Sequence, residues 1–513
     1  MVTNLGHDML SVAALDTASH TISNASHLQD FASGLTAAAL AGLTQRISND
    51  CVGDEFPDIL SFEEWTQAVT RGLAQSMVER FIAVRTQQAR EMNMKCHGCG
   101  KPMEKHKQSS WSRQTPWGEV RIAEDRYSYC RDCRTSARPL HGYLGTGRET
   151  WSLIMQEAAV DLATDESCQK AVEKLARHHP GVHMNRSTAL RLLHQHGELA
   201  REFVAGKLKD ALALGRQEAI RHDSAVALEV EYDGGMIPVA TLEPLPVETG
   251  QIPESTPVHG RPKRRKNCRW EEVKVGLAQV PGQISRLYSV RPTHQLDEAF
   301  DDLLALACLK GWTQQTNVRG IADGAHYIRT RMEQVFSDCP FRFILDRPHA
   351  KQHLADASKL LAEAAVIKGD ADEWYTTALR RLESGRVMHV VNELRRAAHT
   401  TNNDGIRRAA DYFERNKDAV DYADYRQNGW SSASSEVESA HRHVVQVRMK
   451  IPGAWWHPDN VPNILALRML KANDWWDQYW SQQRQSWKEH ARKLAQKMHQ
   501  RPATRHRNQE KRP

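Results

Sequence analysis

Asp233, Asp323 and a third carboxylate beyond residue 430 are the side chains of this 513-residue sequence whose types and order could do chemistry together. Asp233 lies in the apolar, β-branched run 226-VALEVEYDGGMIPVA-240, and Asp323 follows another in 317-NVRGIADGAHYI-328. If those strands lie side by side, both carboxylates reach one edge of a sheet. The helical stretch 432-SASSEVESAHRHVVQVRMKIPGAWW-456 offers Glu436 and Glu438. Residues two apart on a helix point about 200° from each other, so only one of these can join the aspartates. Carboxylate oxygens suit a hard divalent ion. Two such ions about 4 Å apart steady both the attacking and the leaving oxygen of a phosphodiester displacement. The expected chemistry is therefore phosphoryl transfer on two Mg²⁺ (or Mn²⁺), with no nucleophilic Ser or Tyr.

A second constellation is Cys96-His97-Gly98-Cys99 followed by Cys130-Arg131-Asp132-Cys133. Four thiolates from two CxxC turns can surround one structural Zn²⁺ tetrahedrally. The alternating run 117-WGEVRIAEDRYSYC-130 supplies a strand entering the second turn, as a zinc ribbon needs. With four Cys available, His97 and His106 are read as bystanders, and a redox dithiol would need only one such motif. The other five cysteines are scattered, which is not the pattern of a disulfide-stapled domain.

These groups need elements to position them. Strand-like runs at 226–240, 272–280 and 284–290 precede a helix at 296–311 and a fourth run ending at Asp323; a fifth, 341-FRFILDRPHAKQHL-354, ends at Asp346. Three strands, a helix and a fourth strand is the order of the RNase H fold. The expected class is multidomain α+β. An RNase H-like catalytic core occupies 225–349 and 431–480, with an all-α insertion at 350–430 between its parts. Ahead of it lie a helical N-terminal region (1–95), a zinc ribbon (96–148) and a helix-turn-helix-like helical domain (149–224), and a basic tail (481–513) follows. Within the helical domain, 166–197 divides at His179-Pro180-Gly181 into two short helices. Asn185 or Ser187 caps the second, which leaves Arg186, Thr188 and Arg191 near its start, where a recognition helix touches bases. Plain helical packing is the simpler reading.

Other residues fall around the acids. Asp346 and His349 either support the site and position DNA or merely cap a strand end. His441, three residues past Glu438 on much the same helix face, could contact a scissile phosphate, and Arg442 and Arg448 suit phosphate clamps. The loop 261-RPKRRK-266 holds five cations, Arg261, Lys263, Arg264, Arg265 and Lys266, and ten more Lys or Arg lie between Arg484 and Pro513. Phosphate contact and a solvated basic surface are both compatible with them. Trp455, Trp456, Trp475 and Trp476 are read as core or interface in preference to base-stacking platforms. With 69 Lys and Arg against 63 acidic residues, net charge permits a nucleic-acid partner without demanding one. No apolar run approaches the roughly 20 residues a bilayer requires, and the start has no basic n-region, so a cytoplasmic protein without a membrane partner is expected.

Five separate runs carry a family resemblance: YDGGMIPV (232–239), WEEVKVG (270–276), IADGAHYI (321–328), ILDRPHAKQHL (344–354) and SSEVESAHRHVVQVRMKIPGAWW (434–456). Together with the CxxC pairs, over roughly residues 90–480, the chain resembles the ISKra family of bacterial insertion-sequence transposases, distant relatives of the Mutator type. The resemblance implies a DDE triad of Asp233, Asp323 and Glu438, which selects Glu438 over Glu436. Asp346 and His349 match a Cys/His pair of Mutator-type relatives, with Asp in place of Cys. One departure is Ser434-Ser435, where the family commonly has Ser-Gly. In the implied scheme Asp233 bridges both ions, Asp323 holds one and Glu438 the other. Water cuts at the element end, and the freed 3′-OH attacks target DNA. The partners implied are double-stranded DNA, as terminal inverted repeats and target, and further copies of the chain in at least a homodimer, associated with the nucleoid. The competing readings are a domesticated DNA-binding regulator with an idle triad and an RNase H-type nuclease that cuts without joining.

Overall fold

The computed structural model describes residues 58–92, 94–96, 98–130, 132–133, 135–217, 224–244, 264–367 and 370–499. The Ala-rich segment 33–47 and the cations Arg261 and Lys263 lie outside the described residues, as does the chain beyond residue 499. Two compact units emerge: one from Met1–Ala158, Leu175–Met184 and Gln483–Pro513, the other from Ala159–Lys174 and Asn185–Gln482. No helix among the described residues is long and apolar enough to cross a membrane.

The first unit contains helix α1 (Ile59–Glu91) and an antiparallel sheet in the order β1-β2-β3 (Lys105–Thr115, Gly118–Cys130, Thr135–Ala137), followed by α2 (Pro139–Leu144). Its core gathers Ile82 and Ala89 of α1, Val120 and Ile122 of β2, and Leu140 of α2. Glu124 of β2 is fully buried and takes ion pairs from Arg138, His141 and Arg148. Burial pushes this carboxyl up, but the Arg148 hydrogen bond and the surrounding positive charge outweigh it and leave its pKa below the ordinary value.

Helices α3 (Leu153–Asp165) and α4 (Cys168–His178) precede α5 (Arg186–Gln217). Asn185 caps α5 by accepting the Thr188 amide at 2.7 Å. The expectation of two short helices is corrected here: α5 runs for 32 residues because its apolar spacing continues through Leu192, Ala200, Val204 and Leu208, all buried.

The second unit is built on a five-stranded mixed sheet, β4 (Ala227–Pro244), β5 (Arg264–Gln279), β6 (Arg286–Pro292), β7 (Asn317–Ala322) and β8 (Phe341–Leu345), in the order β6-β5-β4-β7-β8. β4, β5 and β6 are antiparallel, while β7 and β8 add parallel to β4's free side. α6 (Leu296–Leu309) and α7 (His326–Val335) cover one face, where Tyr232 stacks on Phe300 at 4.5 Å. β4 and β5 pair without interruption from Glu229↔Gln279 to Pro244↔Arg264. β6 reaches only Val273 and β7 only Glu231, so the far half of the hairpin extends as a two-stranded ribbon. Arg264, Arg265 and Lys266 therefore begin β5 and do not sit in a loop, because their backbones pair with Pro244, Glu243 and Leu242.

Between β8 and residue 431 the chain is all helix: α8 (Arg347–Glu363), α9 (Ala371–Glu383), α10 (Val387–Thr401), α11 (Asp404–Arg415) and the short α12 (Tyr422–Gln427). α13 (Ser435–Ala440) follows, continued by a π-helical turn at His441–Gln446 and a last turn to Met449. α14 (Val461–Ala472) is buried on nearly every side. The sequence reading of a tail from 481 is corrected in its first part, since α15 (Trp476–His499) is regular helix well past that point. Trp475 is buried beneath its start, and Trp456 is buried too.

Candidate active site at the strand ends

The sheet register brings the two aspartates together. The last parallel pair of β4 and β7 is Glu231↔Ile321. Asp233 and Asp323 each lie two residues further on, so by strand alternation both point to the face of Glu231 and Ile321, on neighbouring strands about 4.8 Å apart. Asp346 stands at the end of β8 beside them, its amide donating to the Ala322 carbonyl at 2.8 Å. Three adjacent parallel strands thus bring aspartates to one level, Asp233 within β4 just past the end of its parallel pairing and Asp323 and Asp346 just past the ends of β7 and β8. Among the described residues no lysine or arginine forms an ion pair with Asp233, Asp323 or Glu438.

α13 crosses this face along β4. The Val437 amide donates to Glu231 Oε2 at 2.8 Å, and His441 Nε2 lies 3.4 Å from Asp233 Oδ2. Gly235 makes the approach possible, since a Cβ there would stand 2.5 Å from His441 Nδ1. His441 is buried, and neither ring nitrogen has a hydrogen-bond partner within the protein. Burial pushes the Asp233 carboxyl up, but His441, the Gly234 amide and His349 together outweigh it and the net shift is downward. Glu231, fully buried beside it, has one unpartnered oxygen, and burial pushes its carboxyl up to about 8.

The two glutamates occupy opposite flanks of α13. Glu436 pairs with Arg286 of β6 at 2.9 Å, and His443, seven residues on, meets Tyr288 of the same strand. Glu436 is therefore engaged with β6 and is not simply solvated. Ser434 and His441 form the other row, toward Asp346 and Asp233, and helical spacing puts the exposed Glu438 between them.

Asp346 is fully buried and saturated. Its Oδ1 accepts from Ser434 N (2.6 Å) and Ser434 Oγ (2.8 Å), and its Oδ2 from His349 N (2.9 Å) and Nδ1 (2.6 Å). It both caps α8 and pins the start of α13 to the end of β8. The bond to Asp346 outweighs burial and raises the His349 imidazole to about 9, with Asp233 and Asp323 adding smaller attraction. His349 is thus a cation at neutral pH in the metal-free chain. Because the folded value is raised, the stability from this pair is complete below the unfolded His value near pH 6.5 and lost as pH rises through about 9. In NMR titrations of metal-free protein the His349 ring is expected to titrate near pH 9, and Asp346→Asn to return it to the ordinary range; a wild-type midpoint of 6 to 7 would contradict the pairing.

The helical insertion walls the acids on another side. Tyr412 Oη of α11 donates to the Asp323 carbonyl at 2.8 Å, and Tyr422 Oη of α12 to the Leu345 carbonyl at 3.0 Å. Asp323 Oδ1 accepts the Ala325 amide at 2.9 Å across Gly324, whose φ of +77° and contact with Leu345 leave no room for a Cβ. Sequence reasoning gave no role to Glu231, Tyr412 or Ser434. Glu231 had a signal, since alternation puts it on the face of Asp233; Ser434 was marked by the family-like run, though its bond to Asp346 was not, and Tyr412 had no signal.

The remaining candidates divide. The four Sγ atoms of Cys96, Cys99, Cys130 and Cys133 lie within 4.8 Å of one another, a cluster able to hold a metal ion such as zinc. Crowding by Cys99 and the other thiols pushes the Cys133 thiol up to about 12, which a bound cation would reverse. Arg186 and Arg191 are exposed and Thr188 half-buried at the start of α5, and Arg442 is exposed on the π-helical turn after α13. Arg448 is corrected. It is buried, donates to the Ala163 carbonyl at 2.9 Å and stacks over Trp456 at 4.5 Å, so it braces helices and cannot meet a phosphate. No protein-family model matches the chain, and no curated protein is significantly similar to it.

Proposed function

We propose that the chain is a DDE transposase with an RNase H-like core, cutting DNA at insertion-sequence ends and joining it to a target, as the ISKra resemblance implies. The observation that carries this reading is Asp233 and Asp323 side by side on adjacent parallel strands, in a sheet of order β6-β5-β4-β7-β8, beneath a helix bearing Glu438. Glu438 is chosen over Glu436 because it shares the Ser434–His441 row, whereas Glu436 is tied to Arg286.

Asp233, Asp323 and Glu438 would hold Mg²⁺, and their oxygen donors without paired lysine or arginine fit a hard cation. Among the described residues only the four cysteines gather three or more donors within 4.8 Å of one another, so the carboxylates would close around the ions only when these bind. Such ions, when bound, lower the barrier by stabilising the attacking and leaving oxygens. The protein's part is positional. Asp346 fixes Ser434 and hence the height of α13; Tyr412 steadies the Asp323 backbone; imidazolium His349 offsets part of the gathered negative charge, and His441 packs against Asp233. In the ribbon the four cysteines would hold structural Zn²⁺. Exposed Arg186, Arg191 and Arg442, with Arg265 and Lys266 of the hairpin, suit phosphate contact. Two ends must be synapsed, so a homodimer or larger assembly is proposed.

The test uses the genomic DNA flanking the reading frame. Full-length protein with Mg²⁺ and pre-cut terminal repeats is expected to insert those ends into plasmid DNA. Cleavage without any joined product would assign a nuclease, and end binding with neither reaction would assign a regulator.

A further inference from the structure

The ribbon made by the outer halves of β4 and β5 carries an exposed aromatic patch that the active-site reading leaves unused. Trp270 is 55% exposed and Trp455 36% exposed, with ring centroids 6.3 Å apart. Large indoles left in water are unusual, and these two are close neighbours. Each has a cation beside it: Lys266 Nζ lies 5.1 Å from the Trp455 ring and Lys450 Nζ 5.9 Å from the Trp270 ring. The arrangement is held by backbone pairing, since Trp456 exchanges hydrogen bonds with Pro238 and Ala240 of β4 and so places Trp455 next to the hairpin. Exposed Leu242 and Met236 share the strand face of Trp270, as the pairs Leu242↔Lys266, Pro238↔Trp270 and Met236↔Glu272 require.

We propose that Trp270 and Trp455, flanked by Lys266 and Lys450, form a stacking platform for the bases of single-stranded DNA. Every base has a flat π face, and indoles interleaved with cations answer both the bases and the phosphates of an unpaired strand. The two lysines beside the rings match the negative charge of a phosphate backbone. Trp270 pairs with Pro238, five positions from Asp233, so the platform lies about 17 Å along β4 from the acids, on the opposite face of the sheet. That distance suits a strand led around the hairpin after cleavage. The choice of DNA over RNA rests on the proposed function; the stacking itself does not.

The experiment measures binding of fluorescein-labelled dT20 to the full chain in magnesium-free buffer, where no cutting occurs. Trp270→Ala/Trp455→Ala is expected to weaken dT20 about tenfold or more, with far less effect on a 20-base-pair duplex. Lys266→Ala/Lys450→Ala is expected to flatten the salt dependence by about 1.4 in log–log slope, two phosphates' worth. Cross-linking with 5-iododeoxyuridine should label Trp270 or Trp455. Unchanged dT20 affinity in a folded double variant would overturn the platform, as would equal loss on duplex. A shift from dimer to monomer with dT20 binding intact would assign the patch to a second copy instead. Tighter binding of rU20 than dT20 would overturn the choice of DNA. A chain that holds dT20 through these tryptophans yet never cuts or joins DNA would leave the platform standing and sink the transposase reading.

Discussion

Asp323→Asn is expected to lower DNA cleavage and strand transfer by about 10³-fold or more, while end binding and the melting temperature stay close to wild type. The magnitude follows from several kcal/mol of charge stabilisation lost with one ion's carboxylate, at about 1.4 kcal/mol per tenfold in rate. Stability should survive because Asp323 is half-exposed and its side chain accepts one local bond, from Ala325, which the Asn oxygen can also accept. Asp233→Asn should be equally inactive but is the less clean test, since it also alters the charge facing buried His441. The helix is checked by comparing Glu438→Gln with Glu436→Gln. Only the first should fall as far as Asp323→Asn; the second loses its Arg286 partner and should cost mainly stability. Retained cleavage in Asp323→Asn, or loss in Glu436→Gln alone, would dismantle the triad.

Removing the metal from the cysteine cluster should have the other large effect. Zinc binding to small structural sites is worth about 10–16 kcal/mol near neutral pH, and that energy is folding energy. β3 is three residues long and meets β2 at Cys130↔Thr135 and Tyr127↔Ala137, so little besides the ion would secure it. Purified chain is expected to carry one zinc, by elemental analysis. Chelation or Cys130→Ala should open 96–137 to trypsin while the 225–349 sheet remains protected. Protein that lacks zinc and still resists proteolysis across 96–137 would refute the metal centre.

Much of the sheet, and the neighbourhood of Asp233 and Asp323, were legible in the sequence. The runs ending at Asp323 and Asp346 stand where strands occur, because a strand buried on both faces is written as a continuous apolar stretch, and the run through Asp233 shows instead the alternation of Leu228, Val230 and Tyr232 with Glu229, Glu231 and Asp233. The outer hairpin was not legible. The start of β5, 264-RRKNCRWEE-272, is polar or charged, and what holds it against the apolar 236-MIPVATL-242 of β4 is backbone pairing, which is largely blind to side-chain type. β1, KHKQSSWSRQT, is polar for the same reason. Charge proved a poor guide to exposure: Arg442 and Arg448 look alike in sequence, yet one is exposed and the other buried. Ser434 and Tyr412 act across 88 and 89 positions, separations at which local pattern carries no information.

The four-bond grip of Asp346 on Ser434 and His349 has a consequence for how the chain can vary. Asp346 and Ser434 are 88 positions apart in sequence, and everything between them leaves and re-enters the core at one fastened point. Once such a base is closed, doubling the length of the excursion adds only about 0.6 kcal/mol of closure entropy. The helical segment is thus a module on a fixed socket, able to lengthen or shorten in its outer parts provided it keeps the ties of Tyr412 to Asp323, Tyr422 to Leu345 and Asp418 to Arg329.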